Sequence, residues 1–113
     1  MDLVLKGRGV RITDQIRKTA EHKMAKIGRR YPKVTRVEVE ITLEHNPRIN
    51  GSHRVEVACD TAKHVFRAAG VGQDVDTAFD QVIQRLERQI TSYRGKLQDR
   101  RQAGPMGYNP SKD

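Results

Sequence analysis

Lysine, arginine and histidine side chains recur at helical spacing in two stretches of this sequence, where they could bind the phosphates of a polyanion. Cations three or four residues apart share one face of an α-helix, and such a row can neutralise several nucleic-acid phosphates at once. The candidate contacts are Lys18, His22, Lys23, Lys26, Arg29, Arg30, Arg85, Arg88 and Lys96. The pattern predicts a nucleic-acid interface that contacts the sugar–phosphate backbone.

The overall charge favours the same class of partner. The net charge is +8 and the isoelectric point is about 10.1, which points to RNA, DNA or an anionic membrane surface. The charge is also polarised along the chain. Residues 13–33 carry seven Lys/Arg against two acids, a net of +5, whereas residues 34–62 carry three against five, a net of −2. We expect one anion-binding face. The alternative is that these basic side chains form an ordinary solvated surface.

Each cationic row belongs to a segment with a single apolar stripe, which predicts an amphipathic helix. The later helix is predicted from Asp74 to about Leu97. Its stripe consists of Val75, Ala78, Phe79, Val82, Ile83, Leu86, Ile90, Tyr93 and Leu97. The polar flanks are sorted by sign, with Asp76, Asp80 and Glu87 on one side and Arg85, Arg88 and Lys96 on the other. The stripe should be buried against a sheet.

The earlier helix is predicted from an N-cap at Thr13 to about Arg29, with the Tyr31-Pro32 pair ending it. Its buried stripe consists of Ile16, Ala20, Met24 and Ile27. Lys18, His22, Lys26 and Arg29 lie together on another face, and Lys23 and Arg30 lie nearer the boundary of the core.

Alternation of apolar and polar residues predicts four strands. They are Asp2–Arg8, Val34–Glu44, Arg54–Asp60 and His64–Ala69, with a loop over His45–Ser52 and with Gly70 and Gly72 leading into the final helix. The order β-α-β-β-β-α predicts an α+β fold, a four-stranded mixed sheet with both helices on one face. We expect the two cationic helix edges to adjoin there, and the open sheet face, with Glu38, Glu40 and Glu56, to bind phosphate poorly. Residues 1–98 form the predicted domain and 99–113 a flexible tail or the start of a linker.

Enzyme chemistry is not indicated. The residues suggest no catalytic triad or carboxylate pair, no cofactor motif and no small-molecule substrate site. The four histidines lie far apart, so we expect no metal site, and Cys59 is interpreted as a small buried apolar residue. The five aromatic residues do not suggest an aromatic-lined single-strand groove. The apolar runs are too short for a membrane span.

Two stretches resemble the ribosome hibernation-promoting factors, also called ribosome-associated inhibitor or protein Y. The opening LVLKGRGVRITDQIR is similar to the start of that family. The stretch AAGVGQDVDTAFDQVIQRLERQITSYRGKL is similar to its second signature, although this chain has Thr77-Ala78-Phe79-Asp80 where the family has an aromatic before Ala. The matching positions are Asp74, Asp76, Phe79, Asp80, Leu86, Glu87, Gln89, Tyr93, Arg94 and Lys96. The resemblance covers roughly residues 2–97.

The resemblance implies a fold close to that of double-stranded RNA-binding domains. It also implies a cytoplasmic translation inhibitor that binds the 30S ribosomal subunit in the mRNA and tRNA channel near the decoding centre under stress. Contacts to 16S rRNA would come from Lys26, Arg29, Arg30, Arg85, Arg88 and Lys96. Long family members dimerise through a second domain after a linker, and the linker-like tail favours truncation of such a long form. The alternatives are a generic structured-RNA binder and a protein-interaction module that uses the tail or the acidic sheet face.

Overall fold

Four strands and two helices follow one another in the predicted order. The computed structural model describes residues 1–43 and 53–103, with side chains described as far as Arg94. The elements are β1 (Asp2–Arg8), α1 (Asp14–Arg30), β2 (Arg36–Leu43), β3 (His53–Asp60), β4 (Val65–Gly72) and α2 (Val75–Ala103). The predicted loop, His45–Ser52, lies outside the described residues. The predicted α+β class and β-α-β-β-β-α order are confirmed.

The sheet has the order β1-β2-β3-β4, with β1 parallel to β2 and the two later pairs antiparallel. Alternation along each strand places apolar residues on one face, because successive side chains point to opposite sides. Two rows cross this inner face, Leu3–Val37–Cys59–Phe66 and Leu5–Val39–Val57–Ala68. Both helices pack on that face, where their stripes complete the core.

The helix ends follow from local hydrogen bonds. The Ile16 N–H donates to Thr13 Oγ1 at 3.2 Å, which confirms Thr13 as the N-cap of α1. At the other end of α1 the Tyr31 N–H donates to the Ile27 carbonyl at 2.9 Å. The stripe of α1 is buried at Ala20, Met24 and Ile27 and partly buried at Ile16.

The predicted starts of β2, β3 and β4 differ from the structure by one or two residues, and two predicted ends differ by three or more. β4 continues through Gly70 and Gly72 and does not end at Ala69. Glycine is required there because a Cβ on Gly70 would lie 2.5 Å from the Ala78 carbonyl oxygen, and one on Gly72 would lie 2.8 Å from the Ala78 nitrogen. α2 also continues past Leu97 to Ala103. Residues 98–103 contain no glycine or proline, so the local sequence does not break the helix.

Candidate nucleic-acid interface

The outer face of α1 presents a row of basic side chains, which we call the α1 face: Lys18, His22, Lys26 and Arg29. All four side chains are exposed. Their spacing of four, four and three residues stacks them along one side of the helix. Within the described part of the chain, none of the four forms an ion pair with an acid. These charges are therefore available to an external anion.

Lys23 points instead into the junction between the two helices. Its Nζ lies 2.7 Å from an Asp76 carboxylate oxygen and 2.7 Å from one of Asp80. The hydrogen bonds to Asp76 and then to Asp80 raise the pKa of Lys23 above its ordinary value, in spite of partial burial. Further along the junction, Arg30 forms an ion pair with Glu87. Two of the nine candidate contacts thus hold α1 against α2.

The expectation that the two cationic helix edges adjoin is therefore wrong. The acidic edge of α2 faces α1, through Asp76, Asp80 and Glu87. The opposite, cationic edge of α2 faces β4. Opposite charges pair across the helix–helix junction, so the remaining cations fall on two separate surfaces. Lys96 belongs to α2, but its side chain lies outside the described residues.

The cationic edge of α2 bonds to the backbone of β4, which is an edge strand of the sheet. Arg85 donates a hydrogen bond to the Ala69 carbonyl, and Gln89 donates to the Arg67 carbonyl at 2.6 Å. The Val71 N–H donates to Gln81 Oε1 at 3.0 Å. These bonds occupy groups that would otherwise be open to a further strand. Arg85 thus has a structural contact, although a guanidinium retains other donors, whereas Arg88 is exposed.

Beside this edge the structure assembles an aromatic cluster that the sequence did not suggest. The His64 and Tyr93 rings stack with centroids 4.6 Å apart, and Phe66 meets both rings edge-on at 4.5 and 5.4 Å. Arg67 and Arg88 lie beside this cluster, along a groove between β4 and α2. His64 and Phe66 are recognisable as neighbours from strand spacing. The sequence pattern assigns Tyr93 to the apolar stripe of α2, and only the fold shows that it contacts His64 and Phe66.

The open sheet face carries both signs of charge. Lys6 Nζ lies 2.9 Å from Glu38, Arg8 lies 3.9 Å from Glu40, and Arg54 lies 2.9 Å from Glu56. The hydrogen bond from Lys6 is the main cause that lowers the pKa of Glu38. Each glutamate of the predicted acidic face is thus matched by a base of the same face. This arrangement weakens the case for an acidic docking surface.

Cys59 is buried in the inner row of β3, and burial raises the pKa of its thiol to about 12. Among the described residues, His, Cys, Asp and Glu side chains nowhere gather in groups of three or more that could hold a metal ion.

Neither helix, over its described length, combines the length and apolar content needed to cross a bilayer.

Residues 3–98 match the sequence model of the family described as Sigma 54 modulation protein / S30EA ribosomal protein. The chain is 30% identical over 101 residues to the ribosome hibernation promoting factor of Escherichia coli (strain K12), a match that covers 86% of this chain and 97% of that protein. It is 28% identical over 100 residues to the ribosome hibernation promotion factor of Deinococcus radiodurans, covering 88% of this chain and 52% of the relative. The match to the ribosome hibernation promotion factor of Picosynechococcus sp. covers 50% of that protein. The chain spans about half the length of these last two proteins.

Two solved structures share the fold. A ribosomal subunit interface protein from Coxiella burnetii superposes with a TM-score of 0.73 at 18% identity, covering 84% of this chain and 99% of that one. The N-terminal domain of Thermus thermophilus protein Y superposes with a TM-score of 0.69 at 28% identity, covering 82% of this chain and 99% of that domain. The two structures confirm the predicted fold, and the sequence matches confirm the predicted family.

Proposed function

The chain belongs to the Sigma 54 modulation protein / S30EA ribosomal protein family, and on that basis we propose that it is a ribosome hibernation factor. It binds the small ribosomal subunit in the mRNA and tRNA channel near the decoding centre and blocks translation under stress, in the cytoplasm. Relatives named ribosome hibernation promoting factor support the activity. The observation that carries the contact is the α1 face, a row of exposed basic side chains without acid partners among the described residues.

The proposed mechanism is steric and electrostatic and needs no bond to be made or broken. The α1 face meets phosphates of 16S rRNA, and each neutralised phosphate releases condensed counterions, which favours binding. Backbone contacts of this kind position a protein on a folded RNA without reading its sequence. The domain then occupies space that mRNA and tRNA need.

The nine candidate contacts divide by their surroundings. Lys18, His22, Lys26, Arg29 and Arg88 are proposed to touch RNA directly, because their side chains are exposed and form no ion pair with a described acid. Lys23 and Arg30 are proposed to stabilise the packing of α1 against α2 and not to touch RNA, because acids of α2 already pair with them. Arg85 and Lys96 remain proposed contacts of α2.

Co-sedimentation with 30S subunits between about 50 and 200 mM salt tests the proposal. Wild type is compared with Lys26→Glu/Arg29→Glu and with a control of equal charge change, Lys33→Glu/Lys63→Glu, whose residues are exposed but lie off the α1 face. We expect saturable wild-type binding that mRNA plus tRNA competes away. The α1-face variant should bind more weakly, and the slope of log K against log salt should fall by roughly 1.4–1.8 for two lost phosphate contacts. Equal binding by wild type and the α1-face variant would refute the proposed contact.

A generic structured-RNA binder is the second candidate, and backbone recognition without base reading favours it. Affinity for a short RNA duplex, measured under the same conditions, separates the two. A hibernation factor should prefer the assembled 30S subunit strongly, whereas a generic binder should bind both with similar affinity.

A further inference from the structure

A groove of about 750 Å³ runs between β4 and α2, on the side of α2 away from α1. Its volume lies within the range of about 300–1,000 Å³ that is typical of small-ligand sites. The residues that matter most along it are His64, Arg67, Arg88, Ser92 and Tyr93. The α1 face lies beyond the helix–helix junction, so this groove is a separate surface.

The aromatic cluster forms one end of the groove. His64 is exposed and lies nearly parallel to the Tyr93 ring, with 20° between the two planes. Tyr93 is half-buried, and Phe66 supports the pair from below at an angle of 84° to Tyr93. His64 is therefore the most exposed ring of the cluster, and its accessible surface is suited to contact with a further flat ring.

The charges of the groove all have one sign. Among the described residues, its charged lining side chains are Arg67, Arg85 and Arg88, and no Asp or Glu lines it. Arg67 and Arg88 form no ion pair with an acid among the described residues. The concave open sheet face, by contrast, mixes Glu38, Glu40 and Glu56 with its bases. The arginines of the groove therefore favour an anionic ligand, and the ring stack favours a ligand with a planar group.

We propose that this groove binds one unpaired nucleotide of a single-stranded RNA segment, with its base stacked on His64 and its phosphate on Arg67 and Arg88. A base exposes its flat face to a side chain only when it leaves a duplex stack, and proteins capture such bases on aromatic rings. Arginine supplies planar donors that match phosphate oxygens. This proposal depends on the proposed function in one respect, which is that the bound polyanion is RNA.

The test uses NMR to follow the ring protons of His64 and Tyr93 during titration of the full chain with single-stranded oligoadenylate. We expect both rings to shift, and a short RNA duplex to leave them unchanged. His64→Ala should weaken oligoadenylate binding by roughly 5- to 150-fold, the loss expected for one base-stacking contact. Duplex affinity should stay within about twofold. His64→Phe, which keeps a stacking ring, should restore most of the affinity.

The variants are designed to stay folded. The turn at His64 is held by its backbone, since the His64 N–H donates to Thr61 Oγ1 at 3.1 Å and its carbonyl accepts from the Thr61 N–H at 2.9 Å. Removing the imidazole leaves these bonds in place. Lys63→Ala is the matched control, because it removes a neighbouring exposed charge outside the groove.

The two proposals can fail separately. Lys26→Glu/Arg29→Glu should weaken 30S binding yet retain the ring shifts with oligoadenylate. Ring shifts in a protein that does not bind 30S subunits would support the groove and refute hibernation. Unmoved rings, or equal oligoadenylate affinity for wild type, His64→Ala and Lys63→Ala, would overturn the groove, whatever the 30S result.

Discussion

Lys23 and Lys26 lie on the same helix, one turn apart, yet the structure gives them different environments. Lys23 is 13% exposed and bonds to both Asp76 and Asp80, whereas Lys26 is exposed and belongs to the α1 face. We predict that Lys23→Met reduces stability and spares RNA affinity, and that Lys26→Met does the reverse. Methionine keeps a similar stem and removes only the charge and its hydrogen bonds.

The size of the Lys23 effect follows from the exposure of its partners. The side chains of Asp76 and Asp80 are 64% and 59% exposed, so solvent screens both pairs and each contributes roughly 0.2–1 kcal/mol. Removing Lys23 also leaves two carboxylates one helical turn apart, which repel by roughly 0.2–0.5 kcal/mol. The expected loss in the free energy of unfolding is about 1–2 kcal/mol. Because the pKa of Lys23 is raised, this contribution is intact at neutral pH and is lost as the pH rises through that raised value.

Urea unfolding followed by circular dichroism measures the loss, and 30S co-sedimentation measures affinity. Lys23→Met should lower the unfolding midpoint at unchanged slope, and added salt should shrink the difference. Lys26→Met should leave stability within about 0.5 kcal/mol and reduce the salt slope of 30S binding by roughly 0.7–0.9. The reasoning is refuted if Lys23→Met is as stable as wild type, or if it loses as much 30S affinity as Lys26→Met.

Three buried or capping positions give further predictions. Gly70→Ala should destabilise the domain by roughly 1–3 kcal/mol in urea unfolding, because its Cβ would lie 2.5 Å from the Ala78 carbonyl oxygen; wild-type stability would contradict this close packing. Burial raises the pKa of the Cys59 thiol to about 12, so iodoacetamide should label Cys59 only after unfolding, and rapid labelling of the native protein would contradict its burial. Asp74 accepts a hydrogen bond from the Thr77 N–H at 2.7 Å, which lowers the pKa of Asp74. The stabilising effect of Asp74 is therefore fully present above the ordinary pKa of aspartate and is lost as the pH falls through the lowered pKa. Asp74→Ala should reduce the loss in the free energy of unfolding that occurs on acidification. An unchanged loss would contradict the capping role of Asp74.

Sequence periodicity by itself determined the elements, their order and most of the core. A helical stripe such as Val82, Leu86 and Ile90 must be buried whatever covers it, because its apolar surface is unfavourable in water. The alternation in β2 likewise sets which side of the strand faces the core. The N-cap at Thr13 was readable because a cap is a local hydrogen bond. The family resemblance was also a property of the sequence, and the family match confirmed it.

Tertiary structure alone decided which long-range contacts the charged and aromatic side chains make. A helical wheel orders the flanks of α2 around its own axis, but it does not say which flank meets α1. Only packing showed that the acidic flank does so and thereby binds Lys23. It also placed Gly70 against the backbone of α2 and joined His64 to Tyr93. Such contacts join residues far apart in sequence, so their partners become definite only when the elements are docked, whereas helices and strands follow from near neighbours.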